Sequence, residues 1–178
     1  MGGIARFLQK RLKLRVNGEK SAVDRASRRD FLSFTFTGGG KPRRRIAQKA
    51  RKRFRRRVKE ITRRTRGVSL EQVVAELNTF LRGWIGYFGL CQTPSVLHDL
   101  DSWIRRRLRC FTWKQWRRGR TRYPGLRARG LSERAAAFAA GTPFSHWRMS
   151  ASPGMNAAFP VAFFSELGII TLEAHCSA

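Results

Sequence analysis

Between Lys41 and Arg66 the sequence sets 15 lysines and arginines against a single acid, Glu60. Ala50, Phe54, Val58 and Ile61 recur through that run at helical spacing. The run therefore predicts one helix over about 47–65, with a narrow apolar stripe and basic residues on the other faces. A solvated helix face usually mixes signs, because opposite charges four residues apart support each other. Here like charges stack at Arg51–Arg55, Lys52–Arg56 and Arg53–Arg57, and only a polyanion relieves them. The whole chain repeats the imbalance: 38 Lys and Arg against 11 Asp and Glu in 178 residues, a net charge of +27. With 42% hydrophobic residues it is no basic disordered tail, and it can bury a core. Nucleic acid is the first partner this implies, and an anionic membrane the second.

The rest reads as short elements around that helix. Ile4, Phe7, Leu8 and Leu12 predict a helix over about 3–13. Arg15–Gly18 reads as a strand end and a turn. Phe31–Thr37, β-branched and aromatic, predicts a strand with Phe34 and Phe36 on one face. Gly38–Pro42 is a turn, and Arg43–Ile46 a returning strand. After Gly67, which is expected to end the basic helix, Ser69-Leu-Glu-Gln72 is a capping box. It opens a helix with Leu70, Val73, Val74, Leu77, Leu81, Trp84, Ile85 and Phe88 inward. Gly83, Gly86 and Gly89 near its end predict close helix packing or a kink. Thr93-Pro94 is an N-cap with Pro at the first helical position. The third helix, about 94–118, turns Leu97, Leu100, Ile104, Leu108 and Phe111 inward. Beyond Gly119 the pattern loosens. Ser132 caps an Ala-rich helix ending at Gly141, Thr142–Gly154 is rich in Pro, Ser and Gly, and Asn156–Leu167 is helical in pieces around Pro160.

A second basic stretch interleaves arginines from Arg105 to Arg122 with Trp103, Phe111, Trp113, Trp116 and Tyr123. Trp113 and Trp116 cannot both face inward with Phe111, so one is either exposed or covered by the C-terminal segment. An exposed aromatic beside arginine can stack an unpaired base, which favours RNA or single strands over duplex DNA. His98, His146 and His175 stand in no metal-ligand spacing, and no phosphate-cradling Gly-rich motif is present. Asp99 and Asp101 point to opposite sides of their helix and read as N-terminal charges, not a catalytic pair. Cys91, Cys110 and Cys176 form no disulfide framework, which points to a reducing compartment. No apolar run is long enough to span a bilayer, and the N-terminus has no signal-peptide core. The Arg-rich, acid-free start is compatible with a mitochondrial presequence, but an ordinary basic helix in a bacterial cytoplasm is preferred.

Taken in order, these residues resemble the group II intron-encoded reverse transcriptase/maturase family. Leu12–Asp24 is similar to the late palm of the reverse transcriptase, and Phe31-Leu-Ser-Phe34 to the family's FLGF primer-grip-like strand. The thumb, or maturase X domain, is carried by Ile61-Thr-Arg-Arg-Thr-Arg66, Leu77-Asn78, Gly83-Trp-Ile-Gly-Tyr-Phe88, Leu100-Asp-Ser-Trp-Ile-Arg-Arg-Arg-Leu108 and Trp147-Arg-Met-Ser150. The resemblance spans roughly Arg6 to Ile169. It implies a mainly α fold: a small α+β palm remnant with a β-hairpin over 1–46, a three-helix thumb bundle over 47–123, and a C-terminal helical extension over 124–178. Ser33 stands where the family usually has Gly, and its side chain is expected to disturb a close approach to a primer.

The family's YADD segment would lie upstream of residue 1. Polymerisation needs the two-metal site built on it, so no catalytic residue and no resident metal or cofactor is expected here. Mg2+ would belong to a full-length polymerase or to the intron RNA. Lys20, Phe31 and Phe34 are the palm-remnant positions, Lys20 falling where such polymerases place a basic residue near the incoming triphosphate. The implied partner is group II intron RNA, with a separate polypeptide carrying palm and fingers as a second. Arg51, Arg55, Arg63, Arg64, Arg66, Arg105, Arg106, Arg107, Arg109 and Lys114 are the expected phosphate contacts, since an arginine fork can hold phosphate bidentately. Trp116 is the expected stacking residue. Trp84, Tyr87 and Phe88 are assigned to packing, Tyr87 being the most exposed, and Asn78 to capping or bridging helices. The function implied is RNA binding that helps an intron fold and splice. The alternatives are a non-specific basic nucleic-acid coat and a remnant without function.

Overall fold

A computed structural model describes residues 2–17 and 24–175. Among these are nine α-helices and one two-stranded antiparallel sheet, so the fold is mainly α with a β-hairpin. Lys20 lies outside the described residues. Helix α1 (Gly2–Leu12) buries none of its side chains, leaving Ile4, Phe7 and Leu12 exposed.

The expected strand over 31–37 is shorter than its composition suggests. Phe31 and Phe34 exchange backbone bonds of 2.7 and 2.9 Å across Leu32 and Ser33, both at positive φ (47° and 66°). That is a two-residue turn of the type that favours Asn-Gly. Strand β1 is thus only Phe34–Phe36. It pairs with β2 (Arg44–Ile46) in the register Phe34↔Ile46, Thr35↔Arg45 and Phe36↔Arg44. Gln92 clamps the hairpin to the rest of the molecule. Its side chain accepts from Arg44 N at 3.0 Å, and its own N–H donates to Arg44 O at 2.9 Å.

Helices α2 (Gln48–Ile61), α3 (Leu70–Phe88) and α4 (Pro94–Gln115) form the core. The α2 stripe of Ala50, Phe54, Val58 and Ile61 is buried as the spacing requires. Phe54 lies 4.6 Å from Trp84, and Trp84 stacks on Phe88 at 4.5 Å. Burying one such ring contributes about 1.5–3 kcal/mol. Helix α2 stops at Ile61, four residues before the predicted end. Thr62 turns its hydroxyl onto Val58 O at 2.6 Å, and its own carbonyl accepts from Arg107. The last carbonyls of the helix are therefore satisfied without another turn. Ser69 caps α3 by accepting from Gln72 N at 3.1 Å. Thr93 makes no side-chain cap to α4, although Pro94 occupies its first turn. The packing expected at Gly83 and Gly86 is absent, for a Cβ at either would meet nothing within 4 Å. The close approach is at Gly89, where a Cβ would lie 2.9 Å from Ile85 O and 3.3 Å from His175 O.

The chain after Gly119 is more ordered than its composition suggests. It forms α5 (Gly119–Arg127), α6 (Glu133–Gly141), α7 (His146–Met149), α8 (Pro153–Ala158) and α9 (Val161–Glu166). Ser132 caps α6 as expected, and in the Pro/Ser/Gly stretch Ser145 and Ser152 are caps too: each of the three accepts from the N–H three residues on. Leu126, Met155, Phe159, Phe164 and Leu172 join the same core as the three long helices. Asp101, which sequence spacing places in the first turns of α4, is buried. It accepts from Leu172 N and Glu173 N at 3.0 Å each, anchoring the last described segment. Asn78 does the same for the chain just before it, donating to Gly168 O at 2.7 Å and accepting from Ile170 N at 3.0 Å.

Candidate nucleic-acid interface

Helix α2 positions its cations by default. One stripe is fixed in the core, so the other positions must face outward. Lys49, Lys52, Arg53, Arg55, Arg56, Arg57 and Lys59 are all exposed. Among the described residues only Glu60 forms an ion pair with this helix, through Arg57 at 3.0 Å. Arg53 donates to the Ser33 hydroxyl at 2.9 Å, and Arg55 lies 5.7 Å from the Trp103 ring centroid. Arg51 is half-buried. Burial, then repulsion from Arg45 and Arg55, lowers its pKa, and Asp99 opposes them. Arg63 and Arg64 continue the exposed charge into the link before α3. Arg66 does not, because its fork holds Glu76 through two bonds of 2.7 Å and also donates to Ile61 O.

The arginines of α4 are placed differently. Arg107 donates to the Thr62 hydroxyl and carbonyl, each at 3.0 Å, and to Lys59 O at 3.4 Å. Arg109 donates to Phe159 O at 3.0 Å. Burial lowers the pKa of both. Arg106 lies 3.9 Å above the ring of Trp147 and donates to its carbonyl at 3.1 Å. Arg105 donates to Ser102 within its own helix. Lys114 is half-buried near the end of α4. The structure thus separates the expected phosphate contacts into an outward set (Arg55, Arg63, and Arg64, which also reaches Cys110 Sγ on α4 at 3.9 Å) and a set that also fastens elements together (Arg66, Arg106, Arg107, Arg109).

Trp116 is not an open stacking platform. It is half-buried, with Trp113 at 6.4 Å, Phe159 at 5.7 Å and the Arg129 guanidinium at 5.0 Å. A Cβ at Gly125 would lie 2.8 Å from its ring, so glycine there is what lets α5 close on the indole. Trp113 is fully buried under Arg122, 4.4 Å away. The C-terminal segment covers both tryptophans. The more exposed aromatics beside arginine are Trp147 and Phe144, the latter 3.7 Å from Arg148. The palm-remnant phenylalanines also divide. Phe31 is 71% exposed, whereas Phe34 packs on Tyr87 and Phe88 at 5.8 and 5.5 Å. Tyr87 itself is 47% exposed and donates to Leu32 O at 2.6 Å.

Residues 51–130 match the sequence model of the family described as group II intron, maturase-specific domain. The match supports a maturase-type reading of this region. The matched segment starts within α2 and runs through α3, α4 and α5, so it contains the exposed basic faces and the tryptophan cluster alike. Among curated proteins none matches the chain. A domain of this family implies a maturase role in group II intron splicing and suggests group II intron RNA as a partner; the maturase domain is not itself catalytic. No group of three or more His, Cys, Asp or Glu among the described residues is placed to hold a metal ion. None of the described helices is long and apolar enough to cross a membrane. Two participants were not legible in the sequence. Arg129 is held among Trp116, Phe159 and Phe163, and His146 faces three cations from other elements. Neither stands in a motif.

Proposed function

We propose that the chain binds group II intron RNA and helps it reach the splicing-competent fold, the RNA performing the chemistry. The observation that carries this is the exposed face of α2, seven cations with one acid partner, six of them within the segment that matches the maturase-specific domain. Cations on a preformed helix neutralise crowded phosphates and let intron domains approach each other. The protein needs no resident cofactor for that role, and the magnesium ions are those of the RNA. A bacterial cytoplasm is the proposed site of action.

A titration at physiological salt, with tRNA as competitor, tests this. It compares a structured group II intron RNA, an unstructured RNA of equal length and a duplex DNA. A preference of at least about 3 kcal/mol for the intron is expected. Equal affinity for all three would instead mark a general nucleic-acid coat or a remnant.

The hairpin turn supports a second partner. Phe31, Leu32, Tyr87 and Leu90 are exposed by 71, 67, 47 and 53% around one apolar groove of about 300 Å3. We propose that a polypeptide carrying the palm and fingers covers it. Phe31→Ser with Leu90→Ser should leave the thermal midpoint unchanged and abolish co-purification with such a polypeptide.

A further inference from the structure

The end of α4, the link between α2 and α3, and α7 together line a cavity of about 760 Å3. Arg64, Lys114 and Arg117 approach it from the link and from α4, His146 comes from α7, and Phe111 and Gln115 complete the wall. No carboxylate lines it among the described residues. The volume is that of a small-ligand site, and its charge favours an anion. Gln115 is itself held, donating to Val68 O at 2.7 Å, so this part of the wall is fixed.

We infer that this cavity receives a backbone phosphate of the bound RNA, and that His146 takes up a proton as it does so. The inference rests on the RNA-binding reading above and deepens it. The groups facing His146 are Lys114 on α4, Arg64 in the link and Arg122 on α5, all cations. Burial first, and then these three, hold the imidazole below its ordinary value. In the free protein the ring is neutral near pH 7, and its protonation is opposed by the folded state. A phosphodiester monoanion in the cavity offsets part of this positive field, and the imidazolium then becomes a fourth donor. RNA affinity should therefore rise as the pH falls.

The test is intron-RNA binding by the full chain at pH 8.0 and pH 5.5, with His146→Gln and Lys114→Gln/Arg117→Gln as variants. The titration of the His146 imidazole is followed by NMR in the wild type, with and without saturating RNA. His146→Gln should match the wild type at pH 8.0 and bind about tenfold more weakly at pH 5.5, the equivalent of about one unit in the imidazole pKa. The paired variant should lose about 1.5–2 units of salt slope. The His146 titration should move upward on RNA binding. The NMR readout needs no variant to fold. If the wild type prefers intron RNA but the His146 titration does not move, the cavity assignment is overturned and the RNA reading stands. If the wild type shows no preference for intron RNA over duplex DNA, both are overturned.

Discussion

Helices α2 and α4 are both arginine-rich, yet α2 presents its cations to solvent while α4 ties several of its own to the backbone of other elements. Seven basic side chains of α2 are exposed. On α4, Arg106, Arg107 and Arg109 donate to the carbonyls of Trp147, Lys59, Thr62 and Phe159. The cause is position. Helix α2 lies at the outside of the bundle, whereas α4 packs between α2 and the C-terminal helices, where carbonyls at helix ends need donors. An arginine count therefore overstates the phosphate contacts. Arginine serves this fold as a five-donor clamp as well as a charge.

The comparison breaks most readily at Arg107. Arg107→Ala removes three donor contacts and leaves the Thr62 carbonyl without its partner. A loss of about 2–3 kcal/mol in unfolding free energy is expected, measured by denaturant titration. The salt slope of RNA binding by the folded variant should not change. If stability holds and the slope falls instead, α4 is an RNA face like α2. Helix α2 should behave in the opposite way. Replacing Arg55, Arg56 and Arg63 with Gln should leave the thermal midpoint within a degree or two. It should flatten the log–log salt dependence by about 2–3 units. An unchanged slope would mean that this helix faces solvent in the complex.

Much of this was legible beforehand, and the part that was not has a common physical origin. The stripes Ala50–Ile61 and Leu97–Phe111, the Ser69 and Ser132 caps and the paired strands all express local periodicity or local hydrogen bonding, which sequence carries directly. The division between outward and inward arginines does not, because it depends on which carbonyl of a distant element lies within reach. Arg109 meets Phe159 fifty residues on, and Asp101 meets Leu172 seventy-one residues on. The same applies to Trp116, whose covering rings come from the segment after Gly119. That segment reads as loose because Ser145 and Ser152 resemble linker residues, when in fact they cap short helices.

Arg53 is an exception on α2, since it donates to Ser33 in the hairpin turn. Ser33 is at φ +66°, a conformation that costs a side-chain-bearing residue about 1–2 kcal/mol. Glycine at this position avoids that cost. Ser33→Gly should raise the unfolding free energy by about 1 kcal/mol, less than the full relief because the Arg53 bond is lost. It also releases Arg53, so the salt slope should steepen slightly. A destabilised variant would mean that the Arg53–Ser33 bond outweighs the backbone strain.

The smallest effect concerns Arg66, whose fork is occupied by Glu76 on the neighbouring helix. Hydrogen bonding from Arg66 is the largest influence on Glu76 and lowers its carboxyl below the ordinary range. A carboxylate whose folded value lies below its unfolded value contributes stability that is complete above the unfolded value. That contribution fades as the pH falls through the folded one. Glu76→Gln should remove this part of the acid sensitivity, so that the variant's stability changes less than the wild type's on going from neutral pH down through the carboxylate range. It also leaves Arg66 open. If Arg66 belongs with the outward set once unclamped, the variant's RNA binding should gain a fraction of a unit in salt slope, and an unchanged slope would place Arg66 with the clamps of α4.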